Sequence, residues 1–440
     1  MFKLTGDQEK TLKKIIMFFD FKKKQFPAPV YKIAGYAGTG KTTLASFFTK
    51  ELNIENDTMY LAYTGKAVQV LNRKKIMNVL TIHSFAYKLV SSKLITEDGK
   101  VKRILKFRKK TLIEIEREFP DIKLLVIDEA SMVDNSTTAD LRSFGIPIIA
   151  LGDPMQLPPI HGTSDLLLNP DSMLTQITRN ALDSAIIRLS MDVRNGKNIK
   201  NGSYGNDVMI LNERHLKDDT FLNADQIICG KNDTRREINN YVRHDLLQFD
   251  RDIPIVEREK LICLKNYWKT HLLPTGLEGT NNVDYYLTNG TIGYAMQPTI
   301  TKKVVMGDND TIISKEHGDF YFEADFLEDM VGNDEMYKRA MLDPTALEPD
   351  FLNSTTFFPR VQAEMKSLIN GEKSLSFDKF NRSTLKLFNY AYAITAHLSQ
   401  GSEWDKVLIF EERFGNREFH TKWLYTAITR SISKCILARN

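Results

Sequence analysis

The sequence predicts an α/β fold in which helices cover parallel β-sheets. Three observations support this prediction: apolar β-type runs alternate with helical or loop segments through the first 151 residues, each run ends in polar residues, and the first leads into a glycine-rich loop. Uninterrupted apolar runs suit parallel strands that are buried on both faces, and ligands of such sheets bind at the carboxyl ends of the strands. The runs are residues 30–33, 59–62, 124–127 and 146–151.

The loop after the first run has a complete phosphate-binding pattern, Gly35-Tyr-Ala-Gly-Thr-Gly-Lys41-Thr42. Its glycines let the backbone curl, so that several N–H groups and the positive end of the next helix face one anion. We expect Lys41 to reach the β- and γ-phosphates and the Thr42 hydroxyl to bind Mg²⁺. The first predicted ligand is therefore a nucleoside triphosphate. Its predicted contacts in the loop are Gly35, Gly38, Thr39, Gly40, Lys41, Thr42 and Thr43.

Two adjacent carboxylates, Asp128 and Glu129, end the apolar run 124–127. Asp128 comes first off the strand and is predicted to lie in the outer shell of Mg²⁺. Glu129 is then placed to polarise the water that attacks the γ-phosphate. An Asp-Glu pair alone is more often a surface feature, but together with the phosphate-binding loop it predicts a hydrolytic nucleotide site.

Length and composition predict a globular chain of more than one domain. With 440 residues and 42% hydrophobic content, the chain can form two cores, and we expect roughly two to four domains. Lysine and arginine (60) exceed aspartate and glutamate (56) by only four, so a nucleic-acid surface would have to be a local basic patch. Cys229, Cys263 and Cys435 lie far apart without metal-ligand spacing, which indicates buried thiols in a reducing cytosol.

No apolar stretch approaches the ~20 residues that cross a bilayer, so we expect no membrane-spanning segment. Near the N-terminus, the basic and apolar run 13–19 is short and is followed by charged residues. It predicts an amphipathic helix rather than a signal peptide, with Leu12, Ile15, Ile16 and Phe19 on one face.

A β-hairpin is predicted within residues 91–110, where Asp98-Gly99 stands between two β-prone arms. The arms are rich in lysine and arginine, and such a charge run is equally typical of a solvated face.

A second α/β unit is predicted from the apolar runs 225–229, 406–410 and 434–437. The residues between the first two runs include an apparent insertion, 246–385. Its first half is β-like and its second half is acidic and irregular. The β-like segments are 260–264, 285–287 and 291–295, and the turn Asn289-Gly290 stands between the last two.

Five motifs follow one another in a recognisable order: Gly35-x4-Gly-Lys-Thr, Asp128-Glu-Ala-Ser131, Gly152-Asp-Pro-Met-Gln156-Leu-Pro-Pro159, Thr395-Ala-His397-Leu-Ser-Gln400-Gly-Ser-Glu403 and Tyr425-Thr-Ala-Ile-Thr-Arg430-Ser. In this order the chain resembles superfamily 1 helicases of the RecD and Dda group. The resemblance covers nearly the whole chain apart from the insertion.

The resemblance implies two RecA-like domains, each with an insertion. The first domain would comprise residues 1–87 and 111–178, and the second residues 179–245 and 386–440. The insertion 88–110 would be the hairpin that serves as a strand-separating pin, and 246–385 would contain a small SH3-like barrel. The implied activity is that of an ATP-dependent 5′-to-3′ DNA helicase with ATP and Mg²⁺ as ligands.

The resemblance also assigns roles around the nucleotide. Gln8 matches the glutamine that reads adenine, and a side-chain amide can both accept from and donate to that base. Gln156 matches the residue that senses the γ-phosphate and its attacking water. Arg179 and Arg430 match two arginines that approach the γ-phosphate from across the cleft and neutralise transition-state charge. Glu403 matches a ribose contact.

A second set of residues resembles the family's contacts to single-stranded DNA. Most are small hydroxyls and donors suited to phosphates. Tyr63 stands where the family usually has proline, and an aromatic ring there could stack on a base. The set is Tyr63, Thr64, Lys66, Thr81, His83, Thr395 and His397.

Two alternatives to the helicase remain open from the sequence. One is a motor that moves on single strands of DNA or RNA and displaces proteins with little unwinding. The other is a nucleotide-gated binding module without hydrolysis, which the complete set of catalytic residues disfavours. The family likeness further implies a cytoplasmic monomer, in the host cytoplasm if the protein is phage-encoded. Its implied partners are single-stranded DNA and junctions of single- and double-stranded DNA, together with single-strand-binding, replication or recombination proteins.

Overall fold

The computed structural model describes residues 4–18, 25–97, 100–159, 162–177, 184–250, 255–264, 267–271, 286–287, 289–306, 312–324 and 388–439. The chain divides into two compact units. The first comprises Met1–Lys88, Lys109–Val242 and Ala393–Asn440, and the second comprises Leu89–Arg108 and Arg243–Tyr392.

The described strands are β1 (Val30–Gly35), β2 (Thr58–Ala62), β3 (Val79–Thr81), β4 (Tyr87–Glu97), β5 (Lys100–Lys109), β6 (Leu124–Ile127), β7 (Ile148–Gly152), β8 (Ser172–Leu174), β9 (Gly202–Tyr204), β10 (Val208–Asn212), β11 (Gln226–Cys229), β12 (Lys260–Cys263), β13 (Tyr267–His271), β14 (Tyr286–Leu287), β15 (Ile292–Met306), β16 (Ile312–Ala324), β17 (Phe388–Tyr390), β18 (Ala393–Thr395), β19 (Trp404–Phe410) and β20 (Ser431–Arg439). The described α-helices are α1 (Gly6–Phe18), α2 (Lys41–Glu51), α3 (Gly65–Arg73), α4 (Ile82–Ala86), α5 (Leu112–Glu118), α6 (Asn135–Arg142), α7 (Ala185–Arg194), α8 (Asp218–Leu222), α9 (Asn232–Asn240) and α10 (Arg417–Ile428).

The first sheet has six parallel strands in the order β3-β2-β6-β7-β1-β8. Its strands are buried on both faces: in β6, Leu124 and Val126 belong to one hydrophobic cluster, while Leu125 and Ile127 belong to another. This alternation explains why the strands read as uninterrupted apolar runs. The predicted α/β fold with a parallel sheet is confirmed.

The second sheet also has six strands, in the order β18-β11-β19-β20-β10-β9. Its pairs are parallel except for the antiparallel edge pair of β9 with β10. Helices α7 and α10 pack on it around Trp423, which is completely buried. Cys229 and Cys435 lie inside this sheet and Cys263 inside β12, so all three predicted buried thiols are buried.

Helix α1 differs from its predicted packing. Its buried residues are Gln8, Thr11 and Ile15, whereas Ile16 is 48% exposed. The predicted apolar face is therefore wrong at Ile16, because the buried face of α1 runs through Gln8, Thr11 and Ile15. The amide of the polar Gln8 is satisfied on this face, since its Nε2 donates to the backbone oxygen of Thr39, 2.9 Å away. Phe19 lies outside the described residues.

The second unit contains antiparallel structure. Strands β16, β15, β12 and β17 form one sheet in that order, and β13 pairs with β14. The predicted hairpin arms form the pair β4 and β5, but the turn Asp98-Gly99 lies outside the described residues, as do residues 325–387. The pin, the SH3-like barrel and the domain boundaries therefore stay predictions.

Within the described ranges, no helix has both the length and the apolar character that crossing a membrane requires.

A buried ion pair organises the start of the second unit. The Arg243 Nε donates to Glu259 at 3.1 Å, and the two side chains are 1% and 0% exposed. The Tyr392 hydroxyl also donates to the Glu259 carboxylate, at 2.9 Å. Residues that flank the predicted insertion on both sides, Arg243 and Tyr392, therefore converge on one buried carboxylate within it.

Replacing Glu259 with alanine should lower the free energy of unfolding by about 3–5 kcal/mol, because it leaves a buried guanidinium without its carboxylate. Denaturant unfolding followed by circular dichroism measures this change. The control is Glu257→Ala, which removes an exposed carboxylate two residues away and should shift stability by less than about 0.5 kcal/mol. Equal shifts for the two variants would show that the ion pair does not stabilise the fold.

Candidate nucleotide-binding and catalytic site

The phosphate-binding loop needs glycine at specific positions. Gly38 and Gly40 have φ angles of 75° and 72°, the left-handed region in which side chains are disfavoured. A Cβ on Gly35 would lie 2.8 Å from Thr39 Oγ1 and 3.0 Å from Leu174 Cβ. Helix α2 starts immediately after Gly40, so its free N–H groups face the loop. The local geometry therefore matches the predicted anion site.

The Lys41 ammonium lies over the loop itself. Its Nζ donates to the backbone oxygens of Gly35 and Tyr36, at 2.8 and 3.2 Å. These neutral carbonyls hold the cation close to the loop N–H groups, and a polyphosphate would offer it a stronger, charged partner. Thr43, also a predicted contact, is exposed on the first turn of α2.

Thr42 and Asp128 lie together as predicted for a cation site. The Thr42 hydroxyl donates to Asp128 Oδ2 at 3.1 Å. Burial raises the pKa of Asp128, and the neighbouring Glu129 carboxylate raises it further. A hydroxyl and a partly buried carboxylate at this separation are hard oxygen ligands that fit Mg²⁺.

Glu129 is held in an unusual backbone conformation. Its φ and ψ are 53° and 45°, a region that costs a non-glycine residue roughly 1–2 kcal/mol. Its backbone N–H donates to Asp128 Oδ1 at 3.0 Å, which stabilises this turn at the end of β6. The conformation separates the two carboxylates, so that Asp128 faces Thr42 while Glu129 turns towards Gln156.

Gln156 connects the two sheets. With the amide oriented to satisfy both neighbours, its nitrogen donates to Glu129 Oε2 at 3.1 Å and its oxygen accepts from Arg430 Nη2 at 3.3 Å. Arg430 is 3% exposed. Its guanidinium also donates to Thr426 O, Ser402 O and Thr429 Oγ1. The structure thus brings together three residues that the sequence predicted as catalytic.

The other predicted nucleotide residues have different surroundings. Gln8 is fully buried against the loop. Its Nε2 donates to Thr39 O, and its Oε1 accepts from the Thr5 N–H at 2.9 Å. Its assignment to adenine stays a prediction. Glu403 is exposed beside Ser402. Arg179 lies outside the described residues.

Three side chains beside the loop were not predicted from the sequence: Asp153, Arg194 and Tyr425. Asp153 and Tyr425 stand inside two of the helicase motifs, so their motif positions were a usable signal. Arg194 ends helix α7 and has no comparable sequence signal. Its guanidinium carbon lies 3.6 Å from the centroid of the Tyr36 ring.

The predicted nucleic-acid contacts of the first sheet follow β2 and β3. The Thr64 and Thr81 oxygens accept from backbone N–H groups and cap helices α3 and α4. The Tyr63 and His83 rings meet edge to face, 5.9 Å apart. Burial lowers the pKa of His83, which keeps the imidazole neutral at pH 7. Lys66, at the start of α3, is 6% exposed.

The predicted contacts of the second sheet, Thr395 and His397, lie at the end of β18. Burial lowers the pKa of His397, too. This segment approaches the first group, since a Cβ on Gly401 would lie 3.0 Å from Ala67 Cβ and 3.6 Å from Thr64 Oγ1. The predicted DNA contacts of the first sheet and those of the second sheet therefore lie on segments that pack against each other.

Two family models match the chain. Residues 25–211 match an AAA domain, and residues 390–438 match a UvrD-like helicase C-terminal domain. The first match contains the phosphate-binding loop, the two carboxylates and Gln156, and the second contains Arg430.

Individual proteins are similar over nearly the full length. The ATP-dependent DNA helicase dda of Enterobacteria phage T4 is 24% identical over 436 residues, which covers 90% of this chain and 92% of that protein. An uncharacterized protein of Acanthamoeba polyphaga mimivirus is 22% identical, with coverage of 96% and 97%.

Solved structures with similarity to the chain include Pif1 helicase from Candida albicans, with 15% identity, a TM-score of 0.48 and coverage of 100% of this chain and 94% of that one. Another is Bacteroides Pif1 bound to ssDNA, with 16% identity, a TM-score of 0.47 and coverage of 99% and 92%. The two matched domains and a helicase relative that spans almost all of the chain's length support a superfamily 1 helicase similar to Dda.

Proposed function

We propose that the protein is an ATP-dependent DNA helicase that moves 5′ to 3′ on single-stranded DNA and unwinds duplex. One observation carries this proposal: Gln156 joins Glu129 of the first sheet to Arg430 of the second. A nucleotide held by the loop would therefore be hydrolysed between two sheets that both carry predicted DNA contacts. Such an arrangement lets nucleotide turnover change the grip on a strand.

The proposed chemistry is hydrolysis of the γ-phosphate. A water oxygen forms a bond to the γ-phosphorus while the bond to the β–γ bridging oxygen breaks, and Glu129 accepts the proton of the water. Lys41 and Arg430 neutralise charge on the phosphoryl oxygens, and Gln156 orients both Glu129 and Arg430. Mg²⁺, held by Thr42 and Asp128, would supply further charge neutralisation at the phosphates.

The proposed DNA contacts use the hydroxyls of Thr64 and Thr81, which also cap helices. A threonine hydroxyl has one donor and two acceptor positions. The Thr64 oxygen accepts from the Ala67 N–H at 3.2 Å, so its O–H can donate to a phosphate. The neutral His83 and His397 rings can donate a hydrogen bond to a phosphate or stack on a base. These contacts read no sequence, which suits a motor that passes along DNA.

Replacing Lys41 with alanine should reduce DNA-stimulated ATP hydrolysis to background, because it removes the cation nearest the phosphates. Steady-state phosphate release with saturating single-stranded DNA measures the rate. Lys50→Ala is the matched control, since Lys50 is a 65% exposed lysine on the same helix and should leave the rate within about twofold. Turnover above about a tenth of wild type in Lys41→Ala would contradict the site, given the ~10³–10⁵ rate effects of cations at transferring phosphoryl groups.

Unwinding should depend on tail polarity, because the likeness to superfamily 1 helicases of the Dda group implies movement from 5′ to 3′ on the bound strand. A duplex with a 5′ tail should be unwound with ATP, and the same duplex with a 3′ tail should not. Fluorescence of a quenched end label measures strand release, and Lys41→Ala provides the inactive control. Equal unwinding from both tails would refute the polarity.

The alternative functions need two further substrates. Displacement of streptavidin without strand release would favour the protein-displacing motor. Duplexes with RNA tails test the preference for DNA over RNA.

A further inference from the structure

The hydroxyl of Tyr425 reaches the phosphate-binding loop from the opposite sheet. Tyr425 belongs to helix α10 and is 1% exposed in the core of the second sheet. Its oxygen accepts from the Ala37 backbone N–H at 2.9 Å, and its O–H donates to Asp153 Oδ2 at 2.6 Å. One hydroxyl therefore ties the loop to the end of β7 and to α10.

The surroundings of the Asp153 carboxylate favour this hydrogen bond. It is fully buried, and its other oxygen accepts from the Met155 N–H at 2.9 Å. Burial raises the pKa of Tyr425, and the Asp153 charge raises it further. The phenol therefore stays protonated and remains a donor. A short O–H···O bond to a carboxylate is among the stronger hydrogen bonds in proteins.

A second contact holds the neighbouring loop residue. The Arg194 guanidinium lies over the Tyr36 ring at 3.6 Å, which is within cation–π distance. The Ala37 side chain also packs against the core of the second sheet. Two consecutive loop residues, Tyr36 and Ala37, are therefore contacted by side chains of helices α7 and α10, which pack on the second sheet.

Helix α10 also contacts the segment that follows β7. The Thr426 hydroxyl oxygen accepts from the Leu157 N–H at 3.0 Å, and Gln400 Nε2 donates to Leu157 O at 3.1 Å. The Leu157 side chain is buried in the second core. Residues 153–157 and the loop are thus both attached to the helix that leads into Arg430.

We propose that Tyr425 is a positioning residue for ATP hydrolysis. Its hydroxyl sets the separation between the phosphate-binding loop and α10, and so places Arg430 before ATP binds. This inference rests on the proposed ATPase function and adds a residue that acts through others. Tyr425 itself need not touch the nucleotide.

Tyr425→Phe tests the proposal because it keeps the buried ring and removes only the hydroxyl. Amide exchange of Ala37, measured by hydrogen–deuterium exchange without nucleotide, should become about tenfold faster. Tyr31→Phe is the matched control: its hydroxyl pairs with Ser172 Oγ at 2.8 Å within the first sheet, and its loss should leave Ala37 exchange unchanged. Asp153→Asn weakens the acceptor of the Tyr425 hydroxyl and should increase the exchange rate of the Ala37 amide by a smaller factor.

The kinetic readout separates positioning from general stability. For Tyr425→Phe, kcat of the DNA-stimulated ATPase should fall about tenfold while KM for ATP stays within about twofold, and Tyr31→Phe should change neither. Unchanged Ala37 exchange in both Tyr425→Phe and Asp153→Asn, or an unchanged kcat in Tyr425→Phe, would overturn the proposal. A wild-type protein that lacks ATPase activity would instead refute the proposed function, while the exchange measurement would still report on the Tyr425 contact.

Discussion

The amide of Gln156 is the contact on which the rest of the site depends. It faces a carboxylate of the first sheet and a guanidinium of the second, and a neutral amide can serve both because it carries a donor and an acceptor. Hydrogen bonds to charged groups contribute about 1.5–3 kcal/mol each. The burial of one large apolar side chain such as Leu157 is worth a similar ~1.5–3 kcal/mol, and the second core contains many such residues. Apolar packing therefore holds the sheets together. The hydrogen bonds from Gln156 to Glu129 and Arg430 set the geometry of the reacting groups.

Buried carboxylates with raised pKa values lie both beside the phosphate-binding loop and in the second unit, and geometry distinguishes their roles. Burial raises the pKa of Asp128 and Asp153 beside the phosphate-binding loop. Burial also raises the pKa of Glu259, where Arg243 and Tyr392 satisfy the carboxylate. A shifted pKa alone would mark both places, the phosphate-binding loop and the surroundings of Glu259, as candidate functional sites. Asp128 and Asp153, unlike Glu259, lie next to a glycine loop, a lysine and a helix start, so we assign the proposed chemistry to their surroundings and a structural role to Glu259.

Elements of the fold that carry a local sequence signal could be predicted. The runs that form β1, β2, β6 and β7 could be identified because burial on both faces makes them apolar throughout, and Lys41, Thr42 and Asp128 follow from short patterns. The three-residue strands β3, β8 and β9 escaped prediction because they are too short for a periodic pattern and their pairing depends on neighbours distant in sequence. The Ala37–Tyr425 bond joins residues 388 positions apart, so only the fold could reveal it. The buried Gln8 shows how a polar contact can override the apolar periodicity of a helix.

A double-mutant cycle of Gln156→Ala and Arg430→Ala tests most directly that one site spans both sheets. The quantity to measure is kcat/KM of the DNA-stimulated ATPase for each single variant and for the pair. If Gln156 acts by orienting Arg430, the pair should lose little more than the more severe single variant, with a coupling of about 1–3 kcal/mol. Losses that add within about 0.5 kcal/mol would show that the two residues act independently, and would contradict the shared site.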